Sequence, residues 1–153
     1  MLIVRYSYKI DPSRRPHPAY PNALSWSPVL NVRLSNPAKP QSAPTKLIEV
    51  LIDSDSAATL FNSNIGVALG LDIASGIYTQ GQGLFKRAKS VIYFHEIDLH
   101  VDTSIIRIAA GFCDDLRAGA GVLGRWGFFE YFIVTFDPTF TPPGFELERV
   151  GRA

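Results

Sequence analysis

Asp53 and Asp55 are the residues of this sequence whose type and spacing could do chemistry. They follow an apolar run, residues 48–52, which carries the chain into a small polar turn. A carboxylate at the end of a buried strand is unusual, and this makes Asp53 the first candidate for a functional group. Two carboxylates this close could ligate a hard cation through oxygen. The turn could also be structural, because aspartate often caps a turn by accepting hydrogen bonds from downstream amides.

The other possible metal ligands are scattered along the chain. His17, His95 and His100 include no His-x-x-x-His pair. Alternation along a predicted strand places His100 and Asp98 on one face with Glu96, and His95 on the other. Such a face could bind a metal, but a solvated polar face is the favoured interpretation. We therefore expect no metal site and no cofactor.

Composition limits the classes of function. The 153 residues are 46% hydrophobic and 19% charged, which suits one globular domain with a hydrophobic core. A net charge of +1 implies neither a nucleic-acid partner nor an anionic membrane. Cys113 is the single cysteine, so no internal disulfide forms, and we expect it to be a small buried side chain. With no long apolar run and no signal-peptide pattern, a soluble cytoplasmic protein is expected.

The elements before the turn are predicted from alternation and proline. Residues 2–8 alternate, with Leu2, Val4, Tyr6 and Tyr8 on one side of a strand. Prolines break regular structure over residues 11–27, which we interpret as a surface arm. Residues 30–34 alternate as a half-buried strand, and residues 47–52 are predicted to be a strand buried on both faces.

The elements after the turn include two short helices and several strands. Asn62 or Ser63 can cap the first helix, which Gly70 ends in a left-handed conformation. Residues 76–94 are predicted to form a long hairpin with Gly81, Gln82 and Gly83 at its tip. Residues 125–131 could form a second short helix. Further strands are predicted at 96–101, 105–109, 133–136 and 145–148, with a polar loop at 114–121. Many short strands favour a closed or folded β architecture.

The turn and its surroundings resemble the first half of a retropepsin-like aspartic protease subunit. In that family two apolar residues lead into the catalytic aspartate, and a short helix later ends near Leu-Gly-Leu. Here Leu51 and Ile52 precede Asp53, and residues 68–71 read Ala-Leu-Gly-Leu. The remaining turn residues are Ser54, Asp55, Ser56 and Ala57.

A second match lies downstream. The family's second half has two apolar residues and glycine, which here are Val122, Leu123 and Gly124, followed by Arg125 and an aromatic-rich segment. Residues 132–137 resemble the final strand of bacterial members. The resemblance covers roughly residues 28–138. It implies a mainly β protein with a closed acid-protease-like barrel, a flap hairpin and one or two short helices. Residues 1–27 and 139–153 would be extensions of the same single domain.

The resemblance also implies a mechanism. Each subunit would supply one aspartate, Asp53, to a dyad formed across a homodimer, and the pair would share a proton because two adjacent carboxylates cannot both be charged cheaply. Ser54 would brace the turn across the two-fold axis. The tip at Gly81, Gln82 and Gly83 would be the flap over a peptide or protein substrate. The aromatic segment after Gly124 would form part of the dimer surface, or would simply be core.

Asp55 departs from the family pattern, which has glycine at this position. An aspartate adds a Cβ atom and a second acid next to the expected dyad. The enzyme could tolerate this substitution. Alternatively, the chain could be a catalytically inactive protein of the same fold that binds peptides or serves as a dimerisation module. As a third possibility, the aspartate could be a change made or acquired in this particular chain. The sequence leaves all three hypotheses open.

Overall fold

The computed structural model of the chain describes residues 3–11, 14–81 and 90–150, and about half of these residues lie in strands. The strands are numbered here in chain order. They are β1 (Ile3–Ser7), β2 (Lys9–Ile10), β3 (Trp26–Ser27), β4 (Val29–Ser35), β5 (Ile48–Ile52), β6 (Leu60–Asn62), β7 (Ile77–Gly81), β8 (Ser90–Val101), β9 (Ser104–Cys113), β10 (Gly121–Leu123), β11 (Phe132–Asp137) and β12 (Gly144–Arg149). The expectation of a mainly β protein is confirmed.

Six of the strands close into a barrel. The order is β4-β5-β10-β6-β9-β8, and β8 pairs back with β4 through Arg33–His100, Leu34–Leu99 and Ser35–Asp98. Successive side chains of a strand point to opposite faces of the sheet, so every second side chain enters the barrel interior. On β4, Leu30, Val32 and Leu34 are buried, while Asn31 and Arg33 are exposed. The predicted closed acid-protease-like barrel is therefore confirmed.

A separate three-stranded sheet packs against the barrel. Its order is β1-β12-β11, with both pairings antiparallel. Phe145 and Leu147 on the central strand are buried in the same apolar core as the barrel side chains. Val4, Tyr6 and Tyr8 are half-buried, as the alternation of the first strand predicts.

The N-terminal arm is partly paired. Most of residues 14–24 are exposed, in agreement with a surface arm. Its last two residues, Trp26 and Ser27, instead form β3 and pair with β2.

Strand β5 differs from the prediction that it is buried on both faces. Val50 and Ile52 are buried, but Glu49 is exposed and forms an ion pair with Lys9. Ile48 and Leu51 are half-buried. One face of β5 therefore remains partly open, because the short strands β2 and β3 do not cover it as a full layer would.

The first predicted helix is present as α1 (Ser63–Ala68). Asn62 caps its start, with its side-chain oxygen accepting from the Asn64 amide at 2.9 Å. At its end, the Gly70 amide donates to Val67 and the Leu71 amide to Gly66, the hydrogen-bond pattern of a Schellman motif. Gly70 has a φ of +75°, so the predicted left-handed cap is confirmed. One turn of 3-10 helix follows at Ile73–Ser75.

The second predicted helix, over residues 125–131, is wrong. These residues form turns and one isolated bridge between Trp126 and Ala58. Gly127 has a φ of +93°, which a right-handed helix cannot contain. The Trp126 carbonyl accepts from Thr59 in the first half of the chain, so the segment is held by tertiary contacts.

The predicted hairpin over residues 76–94 is formed by β7 and the first part of β8, paired from Ile77–Phe94 to Gly81–Ser90. Gly81 is the last residue of β7, while Gln82 and Gly83 lie outside the described residues. In the described part of the chain, no helix has the length and apolar character that crossing a membrane would need.

Candidate active site

Parallel pairing of β5 and β10 places Asp53 at the end of the barrel. Ile52 is paired with Leu123, so the two strands end side by side. The Asp53 amide then continues the ladder by donating to the Leu123 carbonyl at 3.0 Å. The Asp53 side chain is half-buried. The first-half and second-half motifs of the sequence therefore meet at one place.

The turn after Asp53 closes on its own carboxylate. Asp53 Oδ1 accepts from the Asp55 amide at 2.9 Å, and the Ser56 amide donates to the Asp53 carbonyl at 3.2 Å. This is the aspartate turn that the sequence suggests as a structural role. The same bond fixes the direction in which the carboxylate points, so the structural role and a chemical role are compatible.

The other residues of the turn differ in how far they are buried. Ser54 and Asp55 are exposed, and Ala57 is half-buried. Ser56 is buried, and its hydroxyl donates to the Ala58 carbonyl at 2.7 Å. The turn thus exposes Ser54 and Asp55, leaves Asp53 half-buried, and is anchored by the residues that follow them.

Strand β10 lies between β5 and β6, and Gly124 lies beneath the turn that joins those two strands. Val122 is half-buried and Leu123 is fully buried. A Cβ atom on Gly124 would lie 2.1 Å from the Ala58 carbonyl oxygen and 2.7 Å from that of Ser56. Only glycine allows the two backbones to approach this closely.

Thr59 and Arg125 join the two halves, and sequence reasoning assigned neither a role. Thr59 is fully buried; its hydroxyl accepts from the Gly124 amide at 3.2 Å and donates to the Trp126 carbonyl at 2.9 Å. The Arg125 side chain donates to the carbonyls of Ser54 and Asp55. A buried hydroxyl in an apolar run is the sequence signal that could have singled out Thr59.

The hairpin is anchored close to the turn. Ile92 on β8 is buried in one apolar cluster with Ala58, Leu60 and Cys113. Because Ala58 follows the turn directly, the base of the hairpin packs beside the segment that carries Asp53. Thr79 on β7 is paired with Ile92, and Ile77 with Phe94.

The similarity of this chain to known proteins lies in its structure. No protein-family model and no curated protein matches the sequence. A solved structure of a retropepsin-like aspartic protease from Rickettsia conorii is similar, with a TM-score of 0.58, 11% identity, and coverage of 95% of this chain and 91% of that chain. The chain has the retropepsin-like fold. An EIAV protease complexed with the inhibitor HBY-793 is also similar, with a TM-score of 0.45, 15% identity, and coverage of 65% and 82%.

Asp55 fits this retropepsin-like fold without backbone strain. Among residues 3–11, 14–81 and 90–150, the one non-glycine residue with a positive φ is Asp102. Asp55 therefore has a backbone conformation open to any residue, and its side chain is exposed. The amide that glycine would offer to Asp53 is offered by Asp55 instead.

The aromatic segment after Gly124 is mostly core in this retropepsin-like fold. Phe128 and Phe132 are buried and stacked with ring centroids 5.0 Å apart, while Phe129 and Tyr131 are half-buried against the same core. Trp126 differs, with 65% of its surface exposed beside the Asp53 turn. Of the aromatic side chains expected at a dimer surface, Trp126 is the one largely open to solvent.

The alternative metal ligands have other partners. His100 Nε2 lies 2.7 Å from the Ser35 hydroxyl, His95 Nε2 lies 2.8 Å from the Ile73 carbonyl, and Asp98 accepts two bonds from Arg107. Within the described residues, no three His, Cys, Asp or Glu side chains are grouped as a metal site would require.

Cys113 is buried at the end of β9, as its expected role as a small core side chain requires. Burial raises the pKa of its thiol, with smaller opposing contributions from the backbone at Leu116 and Asp115. A thiol held in its neutral form is a poor nucleophile, so cysteine chemistry is not favoured at this position.

Proposed function

We propose that the protein is an aspartic endopeptidase in which two copies of the chain each supply Asp53 to a shared dyad. The observation that carries this proposal is the position of Asp53. It is half-buried at the end of a barrel strand, with its carboxylate oriented by the Asp55 amide at 2.9 Å. The retropepsin-like fold around it supports the same conclusion.

In the proposed reaction one Asp53 carboxylate is ionised and its partner's is protonated. The ionised carboxylate takes a proton from a water molecule, whose oxygen attacks the carbonyl carbon of the substrate peptide bond. The protonated carboxylate hydrogen-bonds to the carbonyl oxygen as negative charge develops there. The tetrahedral intermediate then collapses, a proton is transferred to the leaving nitrogen, and the carbon–nitrogen bond breaks.

A second copy is needed because the sequence contains one turn of this kind. Asp114 and Asp115 lie in a polar loop after β9, and Asp137 is the last residue of β11. Asp114 follows the buried end of β9, but Asp114 and Asp115 are both exposed, unlike the half-buried Asp53. Asp137 follows a strand that is mostly exposed or half-buried. A symmetric homodimer with the site on its two-fold axis therefore completes the dyad, and a strict monomer at working concentration would rule the mechanism out.

The partners follow from this mechanism. The substrate is a peptide or an unfolded protein that lies between the Asp53 turn and the hairpin. We propose that Gly81, Gln82 and Gly83 form a flap that covers the substrate and excludes water. The anchoring of Ile92 beside Ala58 supports this role, because it fixes the base of the hairpin next to the turn.

Asp55 is the residue on which the alternative, an inactive protein of the same fold, depends. An inactive protein would be favoured if Asp55 distorted the turn or displaced the Asp53 carboxylate. Instead Asp55 is exposed, lacks the positive φ that demands glycine, and donates its amide to Asp53. These observations favour the enzyme.

The proposal is tested with Asp53→Asn, which preserves side-chain shape and removes the ionisable group. Cleavage of an unfolded protein should be measured from acidic to neutral pH, with and without a statine-type transition-state mimic. We expect the mimic and Asp53→Asn each to abolish cleavage. Asp72→Asn is the matched control, because Asp72 is an exposed aspartate on another loop. Equal cleavage by Asp53→Asn and the parent protein would refute the assignment.

A further inference from the structure

Arg125 contacts three consecutive carbonyls of the Asp53 turn. Its Nη1 atom donates to the Ser54 carbonyl at 2.8 Å and to the Asp55 carbonyl at 3.2 Å. Its backbone amide donates to the Ser56 carbonyl at 2.9 Å. One residue from the second half of the chain therefore holds the whole outer edge of the turn.

Two of the peptide groups whose carbonyls accept from Arg125 donate to Asp53 through their amides. The Ser54 carbonyl and the Asp55 amide belong to one planar trans peptide, so they point in opposite directions. Arg125 holds the carbonyl end, and the amide end donates to Asp53 Oδ1 at 2.9 Å. The next peptide repeats this arrangement, because Arg125 holds the Asp55 carbonyl while the Ser56 amide donates to the Asp53 backbone carbonyl at 3.2 Å.

Through this arrangement, the Arg125 side chain controls the position of the peptide that donates to the Asp53 carboxylate. A peptide that accepts a charge-assisted hydrogen bond at its carbonyl is polarised and becomes a better donor at its amide. The Arg125 side chain is exposed, so its direct field at Asp53 is screened by solvent and salt. Its main contribution is therefore geometric, through the fixed plane of the peptide.

We propose that Arg125 is a positioning residue for Asp53, acting through the peptide between Ser54 and Asp55. Its catalytic consequence rests on the proposed function, whereas its effect on the Asp55 amide does not. Displacement of a reacting group by about 1 Å can cost on the order of a hundredfold in rate. A loosened Asp53 should therefore lower kcat much more than it raises KM.

The test compares Arg125→Met, which keeps an unbranched side chain without donors, with Arg125→Lys, which keeps a charged donor. Arg33→Met is the matched control, because Arg33 is also exposed and its Nη1 atom donates to a loop carbonyl, that of Thr45, at 3.0 Å. The first readout is the Asp55 amide proton, followed by NMR chemical shift and hydrogen exchange. The Asp53 amide, which donates to Leu123, serves as an internal reference.

In Arg125→Met we expect the Asp55 amide proton to move upfield and to exchange about tenfold faster or more, with the Asp53 amide unchanged. Arg125→Lys should restore part of both effects, and Arg33→Met should cause neither. The proposal is overturned if the Asp55 amide is unchanged in folded Arg125→Met, or if Arg33→Met alters it equally. If Arg125→Met does not fold, Arg125→Lys becomes the test variant. A partial upfield shift and faster exchange of its Asp55 amide would support the proposal. An unaltered Asp55 amide together with a loss of stability would assign Arg125 a purely structural role.

The second readout is kinetic. We expect Arg125→Met to lower kcat by about ten- to a hundredfold with little change in KM, and Arg125→Lys to recover part of the loss. An unchanged kcat together with a changed Asp55 amide would overturn the positioning role. If the parent protein cleaves nothing, the proposed function fails, while the NMR experiment still decides whether Arg125 orients the turn.

Discussion

The Thr59 hydroxyl accepts a hydrogen bond from the Gly124 amide at 3.2 Å, across 65 residues of sequence. The same hydroxyl donates to the Trp126 carbonyl at 2.9 Å. Thr59 therefore joins the segment that follows Asp53 to the segment that follows β10. Because the side chain is fully buried, water cannot replace either bond.

We expect Thr59→Val to lower the free energy of unfolding by about 1–3 kcal/mol, because the isosteric side chain leaves the buried Gly124 amide without its acceptor. Chemical denaturation with linear extrapolation measures the change. Thr59→Ser, which keeps the hydroxyl and loses a methyl group, is the control and should cost less. A larger loss in Thr59→Ser would show that packing of the methyl group matters more than the hydrogen bonds.

We expect Gly124→Ala to cost about 3 kcal/mol or more, since its Cβ atom would lie 2.1 Å from the Ala58 carbonyl oxygen and backbone atoms cannot move aside cheaply. Gly119→Ala provides a contrast, because nothing lies within 4 Å of its added Cβ and only its φ of +74° opposes the change. That variant should lose about 1–2 kcal/mol. Thermal unfolding of both variants shows which substitution is more destabilising. A larger loss of stability in Gly119→Ala than in Gly124→Ala would contradict the close approach of the Gly124 and Ala58 backbones.

We expect Asp55→Gly to keep the fold and to lower the free energy of unfolding by about 0.4–1 kcal/mol, because glycine makes the unfolded chain more flexible. Asp55→Asn keeps the side-chain shape without the charge and should be close to neutral in stability. Both variants and the parent protein should cleave an unfolded substrate. Cleavage by Asp55→Gly alone would favour an inactive parent, and cleavage by none would favour a binding or dimerisation role.

We expect the Cys113 thiol to react with a disulfide reagent only when the protein unfolds, because it is buried and its pKa is raised by burial. The folded state therefore retains the thiol proton at pH values where the unfolded chain loses it. It follows that the free energy of unfolding falls as the pH rises above the ordinary thiol pKa of about 8.5. In Cys113→Ala the free energy of unfolding should lose this part of its decrease at alkaline pH. A native thiol that reacts as fast as the denatured one would contradict its burial.

Local patterns predicted much of the fold correctly. The alternation of Leu30, Val32 and Leu34 predicts the buried face of β4, and the Asn62 and Gly70 signals predict both ends of α1. These predictions succeed because strand alternation and helix capping depend on residues only a few positions apart. The predicted helix at residues 125–131 fails because Thr59 and Ala57 hold the backbone of Trp126, at a distance in sequence that local rules do not include.

The sequence by itself determined that Asp53 follows an apolar strand, that a tight turn comes next, and that a glycine follows the apolar pair Val122 and Leu123. These features depend on residue type and near neighbours. Only the tertiary structure decided that β10 lies between β5 and β6, which brings Gly124, Thr59 and Arg125 to the Asp53 turn. The physical reason is that these contacts join residues 65 to 71 positions apart, and such contacts exist only once the strands have paired.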